Sequence, residues 1–254
     1  MNRLEKIKKI RNKLSIGEYS LGSWIQIPNA SIAEIMGSAN YDWVAVDLEH
    51  GSISIEILPD LFRAIELGGT LPLARLAQSS AKDCKQALDA GAGGVIVPMI
   101  ESAKELIEVK HNSSWPPSGK RGVAFSRANL FGGFFEDYIK EAQSPLLVAL
   151  IETHKGVENI NEILDVEDLD AIMVGPYDLS ASLGKTGKFE SKEFLEALEK
   201  ISDSANAKKI PFGMHIIEPS KTELEQRINE GYKFIAYSMD SVMLRESANL
   251  EIFK

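Results

Sequence analysis

Asp47, Glu49 and His50 stand together directly after the apolar run Trp43-Val44-Ala45-Val46 and directly before Gly51. The run is too short for a helix and rich in β-branched residues, so it reads as a buried strand. Ionisable groups at the C-terminal end of such a strand occupy the place where parallel α/β folds keep their chemistry. The pattern recurs. Arg75 ends Leu71-Pro72-Leu73-Ala74, Glu152 follows Ile151, and Asp178 lies in the turn Gly175-Pro176-Tyr177-Asp178. We expect these strand ends to face one another around one site.

Each residue type suits a task. If Glu152 and Asp178 end neighbouring strands, they stand about 5 Å apart in the hydrogen-bonding direction. Carboxylates that close repel unless a cation sits between them, and oxygen ligands suit a hard divalent ion such as Mg²⁺ or Mn²⁺. They can equally be solvated rim carboxylates. Arg75 either pairs with a structural acid or, beside a metal, adds a second positive contact for an enolate or carboxylate oxygen. His50, oriented by Asp47 or Glu49, is a candidate general acid/base. His111, His154 and His215 have weaker claims, although His215 can line the rim. The turn at Gly175, Pro176 and Tyr177 offers free backbone N–H groups to a substrate carboxylate, and Asp178 can cap the helix that follows. Trp24, at the end of the first strand, reads as core on composition alone.

The elements that must position these groups alternate. Strands are expected over residues 21–27, 43–47, 71–76, 95–99, 146–152, 171–175, 211–215 and 234–238. Helical spacing appears at Ile55, Leu58, Phe62 and Ile65; from Ser80 through Leu88; over 102–109; at Val157, Ile160, Ile163 and Leu164; and at Phe194, Leu198, Ile201 and Ala205. Further helices are expected over 1–13, 31–38 and 134–142, at Leu224 and Ile228, and over 241–254. Residues 111–133, with Pro116-Pro117, Gly119, Gly122 and Gly132-Gly133, form a long loop of the kind that is usually functional or mobile. Eight strands alternating with helices at intervals of roughly 25 residues predict a (β/α)8 barrel over the whole chain as one domain. A doubly wound sheet fits less well, because no Gly-x-Gly-x-x-Gly turn follows the first strand.

The totals narrow the partners. A net charge of −9 over 254 residues disfavours nucleic acid and anionic membrane. One cysteine, Cys84, excludes disulfides within the chain and thiolate zinc clusters, and its helical surroundings suggest a packed thiol. Residues 1–13 are basic and lack the apolar segment of a secretory signal, and no stretch approaches ~18 consecutive apolar residues. A cytoplasmic protein without membrane spans is expected.

Several of these segments resemble one family. They are Trp24; Asp42 through Gly51; Leu88-Asp89-Ala90-Gly91-Ala92; Val97-Pro98-Met99; Pro116-Pro117-x-Gly-x-Arg121-Gly122; Ile151-Glu152-Thr153; and Gly175-Pro176-x-Asp178-Leu179-Ser180-x-Ser182-x-Gly184. In order and spacing, from about Leu21 to Ser241, they are similar to the HpcH/HpaI aldolases, class II pyruvate aldolases that include 2,4-dihydroxyhept-2-ene-1,7-dioate aldolase and 2-dehydro-3-deoxyglucarate aldolase. The resemblance implies a barrel that reversibly cleaves 4-hydroxy-2-oxo acids to pyruvate and an aldehyde. It implies Glu152 and Asp178 as ligands of Mg²⁺, Mn²⁺ or Co²⁺, Arg75 as the group steadying the enolate oxygen, and His50 as acid/base positioned by Asp47. It further implies Asp89 as an acid reaching a neighbouring subunit's histidine region. Gly175, Pro176 and Tyr177, with Trp24, become the substrate contacts. A hexamer, a trimer of dimers whose last helix is exchanged between partners, is implied as well. Two positions depart from the pattern: Leu150 stands where the family carries Gln, and Tyr177 where it carries a small alanine. Other metal–enolate carbon–carbon lyases, citrate-lyase-like in chemistry, and a non-catalytic scaffold barrel share the same scaffold. A Schiff-base aldolase would need a buried strand lysine, and Lys155 reads as solvated.

Overall fold

Side chains alternate between the two faces of a strand, so a closed parallel barrel sends every second residue inward. The computed structural model, which describes residues 3–249, follows that rule on β1 (Ser20–Ile25), β2 (Trp43–Asp47), β3 (Leu71–Arg75), β4 (Gly94–Val97), β5 (Leu146–Ile151), β6 (Ala171–Val174), β7 (Phe212–Ile216) and β8 (Phe234–Met239). All eight pair in parallel with their sequence neighbours, and β8 closes onto β1. Trp43, Ala45, Leu71, Leu73, Leu146, Val148, Leu150, Ala171, Met173, Phe234 and Ala236 fill the interior. Val44, Val46, Leu147, Ala149, Ile151, Ile172 and Val174 face the surrounding helices. The expected (β/α)8 barrel is what the chain forms.

The interior needs two local devices. Gly22 pairs with Trp43 in the β1–β2 register, and a Cβ at Gly22 would lie 2.1 Å from the indole; only glycine leaves room for that ring. The indole then stacks on Phe234 at 4.6 Å. The bottom of the barrel is stoppered by α1 (Arg3–Ser15), whose Ile7, Ile10 and Leu14 join the interior cluster. Among the described residues no helix is long and apolar enough to cross a membrane.

The helices connecting the strands are α2 (Ala30–Gly37), α3 (Leu58–Leu67), α4 (Ala81–Ala90), α5 (Ala103–Ser113), α6 (Phe135–Gln143), α7 (His154–Glu158), α8 (Ile160–Ile163), α9 (Pro176–Ser182), α10 (Lys192–Lys208) and α11 (Lys221–Asn229), with α12 (Asp240–Ala248) after β8. Differences from the sequence expectation have local causes. β1 stops at Ile25 because the N–H groups of Gln26 and Ile27 turn to the Asp240 carboxylate. Ile55 precedes α3 and is exposed. The helix expected across Val157–Leu164 breaks at Asn159, whose side chain donates to the Glu101 carbonyl at 2.8 Å. The long loop is shorter than expected, since α5 runs on to Ser113 and residues 127–132 wind into a 3-10 segment pinned by Asn129. The helix expected over 241–254 is described as far as Ala248; residues 250–254, and any exchange of them between subunits, lie outside the described residues.

Candidate active site

Strand parity delivers the charged groups to one mouth. Asp47 and Arg75 are the inward residues at the ends of β2 and β3 and are register partners. Glu152 continues the inward series Leu146, Val148, Leu150, and Gly175 continues Ala171, Met173. The same parity puts Trp24 and Gln26 of the first strand and His215 and Ile217 of the seventh on the inner side. Trp24, Gln26, Arg75, Glu152, Gly175, His215 and Ile217 line one cavity of about 280 Å³ at the C-terminal end of the barrel, together with Leu150, Met173, His50, Pro176, Tyr177, Asp178 and Met239.

Asp47 sits beneath the cavity, fully buried and saturated. Its two oxygens accept from Arg75 Nε at 2.8 Å and Nη2 at 2.5 Å, and Gln26 Nε2 donates at 2.9 Å. The backbone N–H groups of Glu49 and His50 donate to the same carboxylate at 3.0 and 3.2 Å. Burial alone would raise its pKa, but the Arg75 guanidinium and these donors hold it below the usual range. Asp47 therefore fixes the turn that carries His50 without touching the imidazole. The ring itself is exposed and stands 3.8 Å from Glu49. Arg75 also reaches Glu49 at 3.4 Å and lies over the Trp24 indole, 4.7 Å from its centroid. Trp24 is thus both core, at 2% exposed, and a wall of the cavity.

Glu152 is 2% exposed, and its Oε1 accepts the Met99 N–H at 2.7 Å. Met99 reaches it by adopting a left-handed backbone, φ 55°, an uncommon conformation for a side chain of that size and one that strained functional sites retain. Oε2 lies against Gly175, where a Cβ would come within 2.3 Å, so glycine is required for the carboxylate to face the cavity. Burial first, then the nearby charges of Glu49 and Asp178, push Glu152 up to about 7 despite the Met99 hydrogen bond. Glu49 is raised as well, by burial and by Asp47 and Asp178 against the pull of Arg75 and His50. This is a concentration of negative charge with one buried oxygen open to the cavity. It suits a hard divalent cation held by Glu152 and Asp178, with water completing the shell. Among the described residues no group of three or more histidine, cysteine or acidic side chains converges on such an ion.

Asp178 is not the cap of α9, contrary to the sequence expectation. Gly175 is the cap, Pro176 opens the helix, and Asp178 lies exposed in its first turn. The first N–H groups of that turn have no preceding turn to bond to, which leaves them for an anion. Tyr177 is half exposed and packs edge-on against Phe189 at 5.0 Å. Leu150 and Met173, register partners one layer down, make the cavity floor apolar.

Other expected residues lie elsewhere. Asp89, on α4, is outside the cavity, 3.6 Å from Arg121 in a second groove that Ile55, Lys82, Lys85 and Phe131 also line. His154 is exposed beside Glu158, and Lys155 is exposed on Glu101. Cys84 is buried, and burial raises its thiol pKa. Gln26, Ile217 and Met239 were not singled out from sequence, and Met99 entered only within the segment Val97-Pro98-Met99, with no role attached. Counting alternate residues past the ends of the first and seventh strands would have found Gln26 and Ile217; the left-handed turn of Met99 leaves no comparable mark.

Comparison with known proteins agrees with this geometry. The family model described as HpcH/HpaI aldolase/citrate lyase matches residues 20–247. The chain is 32% identical to the hydroxypyruvate/pyruvate aldolase of Roseobacter denitrificans over 246 residues, covering 94% of this chain and 93% of that protein. It is also 32% identical to the 4-hydroxy-2-oxovalerate aldolase of Novosphingobium aromaticivorans over 248 residues, covering 95% and 92%. A crystal structure of an HpcH/HpaI aldolase/citrate lyase family protein from Burkholderia cenocepacia superposes with a TM-score of 0.87 at 27% identity, covering 94% of this chain and 95% of the other.

Proposed function

The chain belongs to the HpcH/HpaI aldolase/citrate lyase family, and from that premise we propose that it is a metal-dependent carbon–carbon lyase that splits a 4-hydroxy-2-oxo acid into pyruvate and an aldehyde. The observation that carries this reading is Glu152: a buried carboxylate lining the cavity that Asp178 and Arg75 also line, within reach of both their charges. Glu152 and Asp178 would hold a divalent ion, Mg²⁺, Mn²⁺ or Co²⁺, whose Lewis acidity stabilises negative charge on a bound 2-oxo acid oxygen. Arg75, locked by Asp47 and backed by Trp24, presents a permanent cation where the enolate oxygen develops charge as the C3–C4 bond breaks. The first turn of α9, at Gly175, Pro176 and Tyr177, takes the substrate carboxylate. His50, on the turn that Asp47 pins, moves the proton of the C4 hydroxyl, directly or through water.

The finer points rest on the same footing. Asp89 reaches the histidine region of a neighbouring subunit in a trimer of dimers, supported by the exposed Phe131 that lines the same groove. The lone buried Cys84 suits a cytoplasmic setting. The test needs no knowledge of the aldehyde. In heavy water with Mn²⁺ or Mg²⁺, the protein should exchange the methyl protons of pyruvate, followed by NMR. EDTA, Glu152→Gln and Asp178→Asn should each lower the rate at least a hundredfold, the order seen when a transition-state charge contact is removed. Folded protein that exchanges no 2-oxo acid with any divalent ion would falsify the proposal.

A further inference from the structure

Among the described residues, His215 is the one titratable group lining the cavity to which the reaction above assigns no role. It is the inward residue near the end of β7, partly exposed and lining the cavity. Its Nε2 stands 3.3 Å from the Ser238 carbonyl oxygen. A carbonyl can only accept, so Nε2 carries the proton and Nδ1 is the unprotonated nitrogen. Nδ1 has no hydrogen-bond partner among the described residues, and it is not sealed among the buried unpartnered atoms. The ring stays neutral for reasons visible in the packing: it leans on the Trp24 indole at 5.6 Å, and Arg75 lies over the same indole at 4.7 Å. Ser238 takes a left-handed backbone, φ 52°, just before α12. The cavity wall thus carries a neutral ring with one unpaired acceptor nitrogen, packed on the same indole as the Arg75 guanidinium.

We propose that Nδ1 of His215 accepts a hydrogen bond from a hydroxyl on C3 of the 2-oxo acid, making a 3-hydroxylated donor, 3-hydroxypyruvate in the simplest case, preferred over pyruvate. This rests on the enolate reading of the site. In such a donor the C2 oxygen and the C3 hydroxyl sit on adjacent carbons, matching two groups that flank one indole. With pyruvate a methyl group faces Nδ1, which gives up its water and gains nothing. A pocket with a polar group left unpaired rejects the analogue lacking its partner more strongly than an apolar pocket rejects an added group.

The experiment compares C3–H exchange of 3-hydroxypyruvate and pyruvate in heavy water with Mg²⁺, for the wild type, His215→Leu and His215→Asn. The wild type should favour 3-hydroxypyruvate in kcat/KM by about tenfold, the value of one satisfied buried acceptor. His215→Leu should collapse the ratio towards one, whatever its absolute rates. His215→Asn, whose amide oxygen stands in for Nδ1, should restore most of it. In the wild type, the ¹⁵N signal of Nδ1 should shift on binding 3-hydroxypyruvate and hold still with pyruvate, a readout that stands even if a variant misfolds. An unchanged ratio in His215→Leu, or a static ¹⁵N signal, with pyruvate exchange intact overturns this inference and spares the aldolase reading. A variant effect confined to glycolaldehyde over propanal as acceptor would also overturn it, placing the hydroxyl in the aldehyde half. Loss of exchange with every 2-oxo acid overturns both.

Discussion

Asp47 is the residue on which the active-site geometry most depends, and it is a chemically silent one. It takes five hydrogen bonds, from Arg75 twice, Gln26, Glu49 and His50, and none from a group that the reaction consumes. Removing one member of a buried ion pair strands the other, at a cost of about 3–5 kcal/mol. Asp47→Asn should therefore lower chemical-denaturation stability by that order and cut pyruvate exchange sharply, because Arg75 and the His50 turn lose their common anchor. The pH dependence has a definite sign. The folded Asp47 pKa lies below its usual value, so its contribution is present above the ordinary aspartate range and is lost as pH falls through the folded value. Asp47→Asn should show a shallower acid limb than the wild type in pH-dependent melting. Much of this was legible from residue types at strand ends: Asp47, Arg75, Glu152 and Gly175 all fall where inward parity puts them. What was illegible depends on which strands are neighbours. Gln26 meets Asp47 only because β1 pairs β2, and Trp24 backs Arg75 across two strands. The cap, one of two roles open to Asp178, falls to Gly175 three residues earlier.

Among the elements, α1 has a role that its sequence concealed. Its spacing of Ile7, Ile10 and Leu14 announces an amphipathic helix, yet nothing local says that the apolar face closes the bottom of a barrel. The helix is then anchored from outside: Arg3 pairs with Glu66 and Glu141, and Arg11 with Asp170. Ile10 is 1% exposed, so Ile10→Ala should destabilise by about 2–5 kcal/mol, transfer and cavity terms together. Because the plug lies at the end opposite the cavity, the folded fraction of that variant should keep its exchange rate. A large drop in rate per folded molecule, measured alongside circular dichroism, would mean that the floor and the mouth are coupled. Strand placement was read well for a related reason. Short apolar runs fully buried on both faces leave a strong mark, whereas the break between α7 and α8 comes from one long-range hydrogen bond of Asn159.

At the scale of the whole molecule, the mouth of the barrel is a local loss of stability that the rest of the fold sustains. A carboxylate whose folded pKa is raised to about 7 opposes folding increasingly as pH climbs from the ordinary glutamate range towards that value. For Glu152 the penalty at pH 8 is on the order of 3 kcal/mol. Neutral Gln keeps the acceptor for the Met99 N–H while removing the charge. Metal-free Glu152→Gln should therefore melt above metal-free wild type at pH 8, and the gap should close at pH 5. Mn²⁺ should reverse the order. A ligand at a thousand times its Kd stabilises the wild type by about 4.1 kcal/mol, roughly 8–16 °C in Tm for a chain of this size. The variant, lacking the open oxygen, should gain little. Calorimetric scans of both proteins with EDTA and with Mn²⁺ decide the matter. If Glu152→Gln melts below the wild type without metal, the cluster is a stabilising network and not a cation seat. If both rise equally with Mn²⁺, the ion binds elsewhere on this acidic surface.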